Sequence, residues 1–482
     1  MNYRMIARLL ATILQVVAAM MVPALVISLV LGESESAWAF GITLILMVLL
    51  SILPRSIKPR RMTMFAREGF VIVSLAWILV SALGALPFYI SRCIPSYVDC
   101  LFETVSGFTT TGASILTNVE ILPKGMLYWR SFTHWIGGMG VLVFLLAIAP
   151  LASGDSIFIM RAESPGPQVS KLVPRTRQSA RILYEIYIAL TILQIVLLLL
   201  GGMPVFDAVC TAFGTAGTGG FAIRNDSMMS YSPYIQWVVT IFMALFGVNF
   251  GLYYLLLLRS YKKVVKNEEL RLYVGVLLAS TAIITFFILN DFTEPQDAIR
   301  HAAFQVASIM TTTGFATTDF DKWPEICRAL LVVLMIIGAS AGSTGGGVKC
   351  SRVIIMFKSM KQELKRILHP NTVNCIRVDG EVVMPETVRL VYVFLGLYSI
   401  ISMVSILIIS VDGYSLDTSL SAVMACINNI GPGLHLVGPM GNYSQFSDVP
   451  KVVLTLNMLL GRLEIFPLVI LTFPSIWKRA RL

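Results

Sequence analysis

The sequence predicts an all-α polytopic membrane protein, with four pseudo-symmetric helix–pore loop–helix repeats behind an N-terminal helix pair. Three observations predict it: few charged residues, long apolar segments, and four similar polar loops about one hundred residues apart. Of the 482 residues, 56% are hydrophobic and 13% are charged, whereas a soluble domain carries about 25% charged residues. This composition excludes a soluble globular protein, a disordered chain and a nucleic-acid-binding protein.

Ten apolar segments are predicted to span the membrane, which requires about 20 apolar residues each. The first is longer than a signal-peptide core of about 7–15 residues, so we interpret it as a retained helix. The ten are Leu9–Leu31, Trp38–Leu53, Gly69–Ile90, Leu127–Pro150, Ile182–Gly202, Ile235–Leu258, Leu272–Leu289, Leu330–Gly338 with an uneven continuation, Val388–Val411 and Val452–Phe473.

The charges orient these segments in the membrane. With both termini inside, 28 of the 37 basic residues fall in cytoplasmic segments, as the positive-inside rule requires. The net charge of +10 therefore indicates topology and not a nucleic-acid partner. Of the 27 acidic residues, 17 lie outside or within the membrane, and an acidic outer face raises the local concentration of cations. The sequence predicts a multi-pass protein of the cytoplasmic (inner) membrane, in contact with lipid.

Seven cysteines are scattered along the chain without CxxC or Cys/His spacing, which argues against a zinc site. Cys93 and Cys100 could form a disulfide on the outer side or remain two free thiols.

Four outer segments are too apolar for loops and too short to span the membrane. Each begins with an Asp and ends in small polar residues around a glycine: Asp99–Ser114, Asp207–Phe221, Asp297–Ala316 and Asp417–Gly433. Aligning them places Gly112, Gly219, Gly314 and Gly431 in register. The repeat defines an N-terminal helix pair at 1–60 and four units at 61–178, 179–268, 269–384 and 385–482.

This pattern predicts a cation path. Irregular backbone at membrane depth is tolerated where it lines a cavity or is buried in protein, and the C-terminal end of a short helix favours a cation. Backbone carbonyls can replace the water shell of an ion. Carboxylates are absent from the loop ends, which favours a weakly hydrated monovalent ion over a divalent one. Ordinary polar turns are the alternative interpretation. The predicted ligands are Thr110, Thr111, Gly112, Gly217, Thr218, Gly219, Thr312, Thr313, Gly314, Asn429, Ile430 and Gly431.

Seven motifs are distributed along the chain: GFTTTGAS (107–114), WRSFTHWIGGMGVLVF (129–144), RAESPGP (161–167), KLVPR (171–175), TTTGF (311–315), GASAGSTGGGVK (338–349) and GRLEIFP (461–467). Through these motifs nearly the whole chain resembles the TrkH branch of the Trk/Ktr/HKT superfamily of potassium transporters. The fourth loop departs from the pattern, with NNIGPG in place of TTTG.

The resemblance implies a specific function and specific partners. It implies potassium uptake by four repeats around one ion path, with potassium bound in the filter, no covalent cofactor and no catalytic residues. It also implies a homodimer and a cytoplasmic ring of nucleotide-binding regulatory subunits. A glycine at the first filter position, here Gly112, goes with potassium selectivity, whereas plant sodium carriers have serine there. A sodium-coupled Ktr-type carrier is the first alternative, and channel-like flow, proton symport and sodium symport all fit the same residues.

Two other classes of protein fit the sequence less well. A secondary transporter for an organic solute would show inverted repeats, but these repeats share one orientation. A membrane enzyme would need clustered acidic or histidine side chains in the inner half of the helices, and none are found there.

A glycine-rich stretch interrupts a helix of the third repeat. Its glycines, which are strongly helix-breaking, are Gly338, Gly342, Gly345, Gly346 and Gly347. The resemblance implies an intramembrane gate below the filter, and a plain kink is the alternative. A phosphate-binding loop would need Gly-Lys-Ser/Thr in succession after a strand, whereas Val348 intervenes here.

Two basic residues accompany this predicted gate. Arg462 lies inside the last apolar segment, where a charge is costly and usually functional. The resemblance implies that it reaches towards the pore, and pairing with Glu464 or an outer carboxylate is the alternative. Lys349 either belongs to the gate or snorkels to the membrane interface.

The cytoplasmic side offers a docking surface for the predicted ring. A basic helix at Lys358–Arg366 and a hairpin signal at 376–383, with Asp-Gly between alternating apolar residues, form its largest feature. We expect docking through residues 358–383 and 161–177, with a solvated basic loop as the alternative. His134, ahead of a glycine-rich helix end that favours close packing, is interpreted as a packed polar residue.

Overall fold

The computed structural model describes residues 1–56, 66–140, 176–370 and 375–477, and the regular secondary structure of the described chain is helical apart from one short β-hairpin. The motifs at 161–167 and 171–175 lie outside these residues, as does the predicted docking segment 161–177 apart from its last two residues.

The first half of the described chain contains eleven α-helices. In chain order they are α1 (Tyr3–Val30), α2 (Ser34–Ser56), α3 (Ala66–Gly84), α4 (Leu86–Ile90), α5 (Tyr97–Phe108), α6 (Lys124–Gly138), α7 (Thr176–Leu200), α8 (Val205–Ala216), α9 (Pro233–Phe246), α10 (Phe250–Leu257) and α11 (Tyr261–Lys266).

The second half of the described chain adds nine α-helices and one hairpin. They are α12 (Glu268–Ile288), α13 (Pro295–Met310), α14 (Glu325–Ile337), α15 (Cys350–Leu368), β1 (Arg377–Val378), β2 (Glu381–Val382), α16 (Pro385–Ile409), α17 (Leu416–Ile427), α18 (Asp448–Arg462), α19 (Phe466–Leu471) and α20 (Pro474–Trp477).

Six long helical segments of the described chain are apolar enough to cross a membrane: α1, α2, α3 with α4, α7, α12 and α16. Their outward faces carry exposed apolar side chains such as Val30, Leu49 and Phe286, as expected for lipid contact. The N-terminal pair, α1 and α2, packs together, and α1 also packs on α3 and α6.

Four short helices, α5, α8, α13 and α17, follow a different plan. Each ends in a non-helical loop, and the chain then continues into a return helix, α6, α9, α14 or α18. Each short helix is packed against other helices of the bundle, and its C-terminal half is buried. This arrangement places four loop ends in the interior.

Two of the predicted spans are broken in the structure. The predicted span Ile235–Leu258 is bent by 90° between α9 and α10, and the predicted span Val452–Phe473 breaks at Glu464 and Ile465, which have positive φ angles. The prediction of an unbroken helix was wrong for these two segments because hydropathy cannot distinguish a helical backbone from a broken one whose polar groups are bonded elsewhere in the protein. The helix predicted at Leu330–Gly338 runs over Glu325–Ile337, and the interruption predicted at the glycines follows it.

The break between α9 and α10 shows where such groups are bonded. The backbone N–H of Ser340 donates to Gly247 O at 3.1 Å, and the N–H of Phe250 donates to Gly342 O at 3.0 Å. These two hydrogen bonds join the break between α9 and α10 to the glycine-rich segment. In the remaining return helix, α6 ends at Gly138, and residues 141–150 of the predicted span Leu127–Pro150 lie outside the described chain.

The hairpin predicted at 376–383 forms. β1 pairs antiparallel with β2, and Asp379 and Gly380 make the turn with positive φ angles of 54° and 86°. Asp379 also binds the start of α12: its carboxylate accepts hydrogen bonds from Asn267 Nδ2 at 2.6 Å and from the backbone N–H of Glu268 at 2.7 Å. The hairpin is therefore fixed to a membrane helix.

Cys93 and Cys100 are free thiols, so the disulfide alternative was wrong. Cys100 is buried, and its sulfur lies 3.4 Å from Ile94 O. The spacing of the two cysteines did not decide their pairing, because it carries no information on the direction of their side chains.

Candidate functional site

The four short helices end in the same unusual turn. One residue after each helix cap, the backbone enters the left-handed region: φ is 55° at Thr110, 52° at Thr218, 62° at Thr312 and 56° at Asn429. This conformation is a genuine outlier for β-branched threonine. Such strain persists only where the surroundings enforce it, and it is concentrated at functional sites.

Hydrogen bonds define the register of the four turns. The residue after each left-handed position donates its backbone N–H to the carbonyl five residues earlier, at 2.8–2.9 Å: Thr111 to Ser106, Gly219 to Gly214, Thr313 to Ser308 and Ile430 to Ala425. This is the longer bond of a Schellman helix end. The next residue is always a glycine with positive φ: Gly112, Gly220, Gly314 and Gly431.

This register corrects the sequence alignment of the second loop. Gly220 matches Gly112, whereas the alignment had used Gly219, which matches Thr111, Thr313 and Ile430. The second loop reads Gly-Thr-Gly-Gly where the first and third read Thr-Thr-Thr-Gly. Because Gly219 and Gly220 are adjacent, the residue types do not show which of them aligns with Gly112. The backbone conformation identifies Gly220.

The four loops close into a ring. A Cβ atom added to each of these glycines would collide with a backbone carbonyl oxygen of the next loop. The separations would be 2.0 Å from Gly112 to Gly219 O, 1.9 Å from Gly220 to Thr313 O, 2.1 Å from Gly314 to Ile430 O and 2.7 Å from Gly431 to Thr111 O. The contacts run from the first loop to the fourth and back to the first. The four loops that carry the predicted ligands thus contact one another in a closed ring.

Side-chain hydrogen bonds hold the loops of the ring in position. Thr109 and Thr111 share a hydrogen bond between their hydroxyls at 2.8 Å, and Thr311 and Thr313 repeat it at 2.8 Å. Sequence reasoning missed Thr109 and Thr311, although each starts its Thr-Thr-Thr run. In the divergent fourth loop, Asn429 Nδ2 donates to Thr111 Oγ1 at 3.0 Å and to Met458 O at 2.8 Å. The fourth loop is therefore joined directly to the first.

His134 explains the glycine at position 219. Its Nδ1 donates to Gly107 O at 2.8 Å, and its Nε2 accepts from the Phe221 N–H at 3.2 Å. A Cβ atom on Gly219 would lie 2.3 Å from Nδ1. The imidazole thus occupies the space that a side chain would need. His134 is fully buried, and its interpretation as a packed polar residue is confirmed.

The glycine-rich segment, residues 338–349, is bonded to the third and fourth loops. Gly346 N–H donates to Thr312 Oγ1 at 2.7 Å, and Gly347 N–H donates to Asn428 O at 3.1 Å. A Cβ atom on Gly346 would lie 2.2 Å from Asn428 O, and one on Gly345 would lie 2.8 Å from Thr311 O. Glycines at these two positions allow the segment to pack directly against the cap residues of α13 and α17.

Arg462 joins the glycine-rich segment to the first repeat. Its guanidinium donates to Thr344 O at 2.9 Å, to Gly138 O at 2.7 Å and to Gly137 O, and lies 3.4 Å from Thr110 Oγ1. Glu464, the expected structural partner of Arg462, forms an ion pair with Arg352. One guanidinium therefore connects the segment, the end of α6 and the first loop.

Lys349 and Glu269 bind backbone groups in and next to the glycine-rich segment. Lys349 is 2% exposed and donates to Gly345 O, so the snorkelling alternative was wrong. Glu269, at the start of α12, accepts from the backbone N–H groups of Ala341 at 2.7 Å and Ser351 at 2.9 Å through one oxygen, Oε1. Sequence reasoning missed Glu269, and its only signal was a carboxylate at the start of an apolar helix.

Comparison with known proteins identifies the family. The model of the TrkH family, described as a cation transport protein, matches residues 36–479. The Trk system potassium uptake protein TrkH of Salmonella typhimurium is 38% identical over 86% of each chain, and TrkH of Halomonas elongata is 33% identical over 99% of this chain and 100% of that protein.

A solved structure agrees. The crystal structure of the potassium transporter TrkH from Vibrio parahaemolyticus superposes with a TM-score of 0.89 at 32% identity, covering 99% of this chain and 100% of that one. This match confirms the all-α polytopic fold that the sequence predicted. Because the family model covers most of the chain and relatives above 30% identity align along nearly all of it, the chain belongs to the TrkH family of cation transport proteins.

Proposed function

We propose that this chain is the pore-forming subunit of a Trk-type system and takes up potassium across the cytoplasmic membrane. The observation that carries the proposal is the closed ring of four glycine loops, each at the C-terminus of a short buried helix. The relatives named as potassium uptake proteins support it. The proposal includes no catalytic residue.

The chemistry of the ring favours a weakly hydrated monovalent cation. Its oxygen atoms belong to backbone carbonyls and threonine hydroxyls, and the four helix C-termini add partial negative charge. Carbonyl oxygens replace the water shell of potassium without the strong field of carboxylates. With the corrected register, the second quadrant of the potassium site comprises Gly217, Thr218, Gly219 and Gly220.

The glycine-rich segment serves as the gate in this proposal. It is bonded to Thr312, which follows the cap of α13, and to Asn428, the cap of α17, and Arg462 and Lys349 bring two positive charges to it. Cationic groups in the path oppose the passage of potassium. Opening then requires that Arg462 release Thr344 O.

The partners follow from the cytoplasmic side. We infer a homodimer with both termini in the cytoplasm, docked on a ring of nucleotide-binding subunits through residues 358–383. The described part of this surface is suited to transmit a signal: the hairpin is bonded to α12 through Asp379, and the adjacent Glu269 holds both ends of the gate.

Ion uptake by cells tests the proposal as a whole. Expression in a strain deficient in potassium uptake is expected to restore growth at low potassium and to support rubidium uptake. Varying pH and sodium in the same assay separates channel-like flow from proton or sodium symport. A membrane-inserted protein that restores neither growth nor uptake would contradict the proposed function.

The first prediction concerns the filter glycines. Gly112→Ser and Gly220→Ser are each expected to lower the potassium-to-sodium permeability ratio by about tenfold, which corresponds to a loss of about 1.4 kcal/mol in the free energy that separates the two ions. The added side chain meets the carbonyl of the next loop at about 2 Å and requires a strained positive φ. Ion flux into liposomes measures the ratio. Gly396→Ser, at an uncrowded position in α16, is the control, and unchanged ratios in both filter variants would refute the filter assignment.

The second prediction concerns the gate. Deleting Ser343–Gly346, or replacing Arg462 by Gln, is expected to raise potassium flux at least about tenfold, because each change removes charge-assisted hydrogen bonds worth about 1.5–3 kcal/mol each. Arg389→Gln, at an exposed arginine of α16, is the control. Flux that stays at or below the parental level in folded variants would remove the gate from the proposal.

The third prediction concerns the ring. Lys361, Lys365 and Arg366 are exposed on α15, and reversing all three to Glu is expected to release the ring of nucleotide-binding subunits while leaving ion selectivity intact. Electrostatic docking also weakens as salt screens the charges. Co-purification across a salt series measures it, with the exposed Lys322→Glu as control. Wild-type recovery of the ring with the triple variant at every salt concentration would contradict this docking surface.

A further inference from the structure

A buried ion pair lies behind the first two loops and plays no part in the proposed ion path. Glu103, on α5, and Arg130, on α6, are 1% and 3% exposed. Arg130 Nε lies 2.6 Å from Glu103 Oε1. A buried pair of this kind need not stabilise the fold, because desolvating two charges offsets their attraction. The other contacts of Glu103 and Arg130 indicate a different role for the pair.

Glu103 holds the outgoing strand of the first loop. Its Oε1 accepts a hydrogen bond from Ser114 Oγ at 3.0 Å, and its Oε2 accepts from the Ile115 N–H at 3.0 Å. Both partners follow closely after Gly112. The carboxylate therefore ties the chain that leaves the first loop back to the helix that leads into it.

Arg130 holds the outgoing strand of the second loop. Its Nη1 donates to Ala222 O at 2.8 Å, and its guanidinium carbon lies 3.5 Å from the centroid of the Phe221 ring. His134, one helical turn further along α6, binds the N–H of Phe221. The pair thus forms a brace from the first loop to the second, and the brace ends at Phe221 and Ala222, one and two residues beyond Gly220.

The other short helices lack this charged residue. At the position six residues before the helix cap, where α5 has Glu103, α13 has Gln305, α8 has Thr211 and α17 has Ala422. Gln305 makes a related but neutral contact, in which its Nε2 donates to Thr318 O at 3.4 Å. The charged brace is therefore confined to the junction of the first and second loops.

The second loop has the greatest need of a brace. Three of its four turn residues are glycines, Gly217, Gly219 and Gly220, which carry no side chain to support the backbone and leave it more conformational freedom. The first and third loops use paired threonine hydroxyls instead. Since Gly219 O faces Gly112, a shift of the second loop would also move the carbonyl that contacts the first loop.

We propose that Glu103 and Arg130 are positioning residues for ion selectivity, which hold the exits of the first and second filter loops at a fixed separation. The inference rests on the proposed function. Glu103→Gln keeps the shape of the side chain but removes one acceptor oxygen and the charge, and Arg130→Lys keeps the charge but removes the fork that reaches both Glu103 and Ala222 O.

Purified full-length variants in liposomes test the brace. Both variants are expected to lower the potassium-to-sodium permeability ratio by about tenfold, with potassium flux retained, because one charge-assisted hydrogen bond is worth about 1.5–3 kcal/mol. The matched control is Asp99→Asn, which breaks the ion pair of Asp99 with the buried Lys451, also 2.6 Å long, between α5 and α18. The control is expected to change thermal stability and leave the ratio unchanged.

Each other outcome overturns the brace. A parental ratio in folded Glu103→Gln and Arg130→Lys proteins would show that the filter does not depend on the pair. Failure of both variants to fold, with Asp99→Asn folded, would assign the pair to folding instead. A parent protein that does not select potassium over sodium would overturn the proposed function and the brace with it, whereas a selective parent with unaltered variants overturns the brace alone.

Discussion

The structure depends on one constraint: backbone N–H and C=O groups at membrane depth must find partners inside the protein. Four short helices end within the bundle, and the backbone N–H groups of their turns meet this constraint with Schellman-type hydrogen bonds. The return helices meet it differently. The carbonyl of Gly138, at the end of α6, accepts a hydrogen bond from Arg462, and the carbonyl of Gly247, at the end of α9, accepts one from Ser340 in the glycine-rich segment. The ends of these two helices and the position of the segment therefore depend on each other.

The backbone of the ring has fourfold pseudo-symmetry, and its side chains do not. Asn429 joins the fourth loop to the first, whereas His134 and the Glu103–Arg130 pair join the first loop to the second. The glycine-rich segment belongs to the third repeat alone. In the proposed function, a ring of similar carbonyls suits a spherical ion, and a single segment is enough to block the path of that ion. The differences between the supports of the four loops are therefore compatible with one shared ion site.

Few contacts separate the hairpin at 377–382 from the glycine-rich segment. Asp379 binds the first turn of α12, and Glu269 in that turn binds the backbone N–H of Ala341, within the segment, and that of Ser351, just beyond its end. A displacement of the hairpin would act on a carboxylate that holds Ala341 and Ser351 together. These contacts provide a physical connection between the surface proposed for docking and the segment proposed as the gate.

The sequence by itself determined the membrane class, the positions of the four polar loops, the interruption at Gly338–Gly347 and the hairpin at 376–383. Each of these depends on local composition or on a short motif, such as an apolar run, clustered glycines or Asp-Gly between alternating residues. The tertiary structure decided the register of Gly220, the breaks in the return helices, the carbonyl partners of Arg462 and the contacts of Glu269 and Glu103. These features arise from contacts between residues up to several hundred positions apart, and local sequence does not specify which buried polar groups will meet.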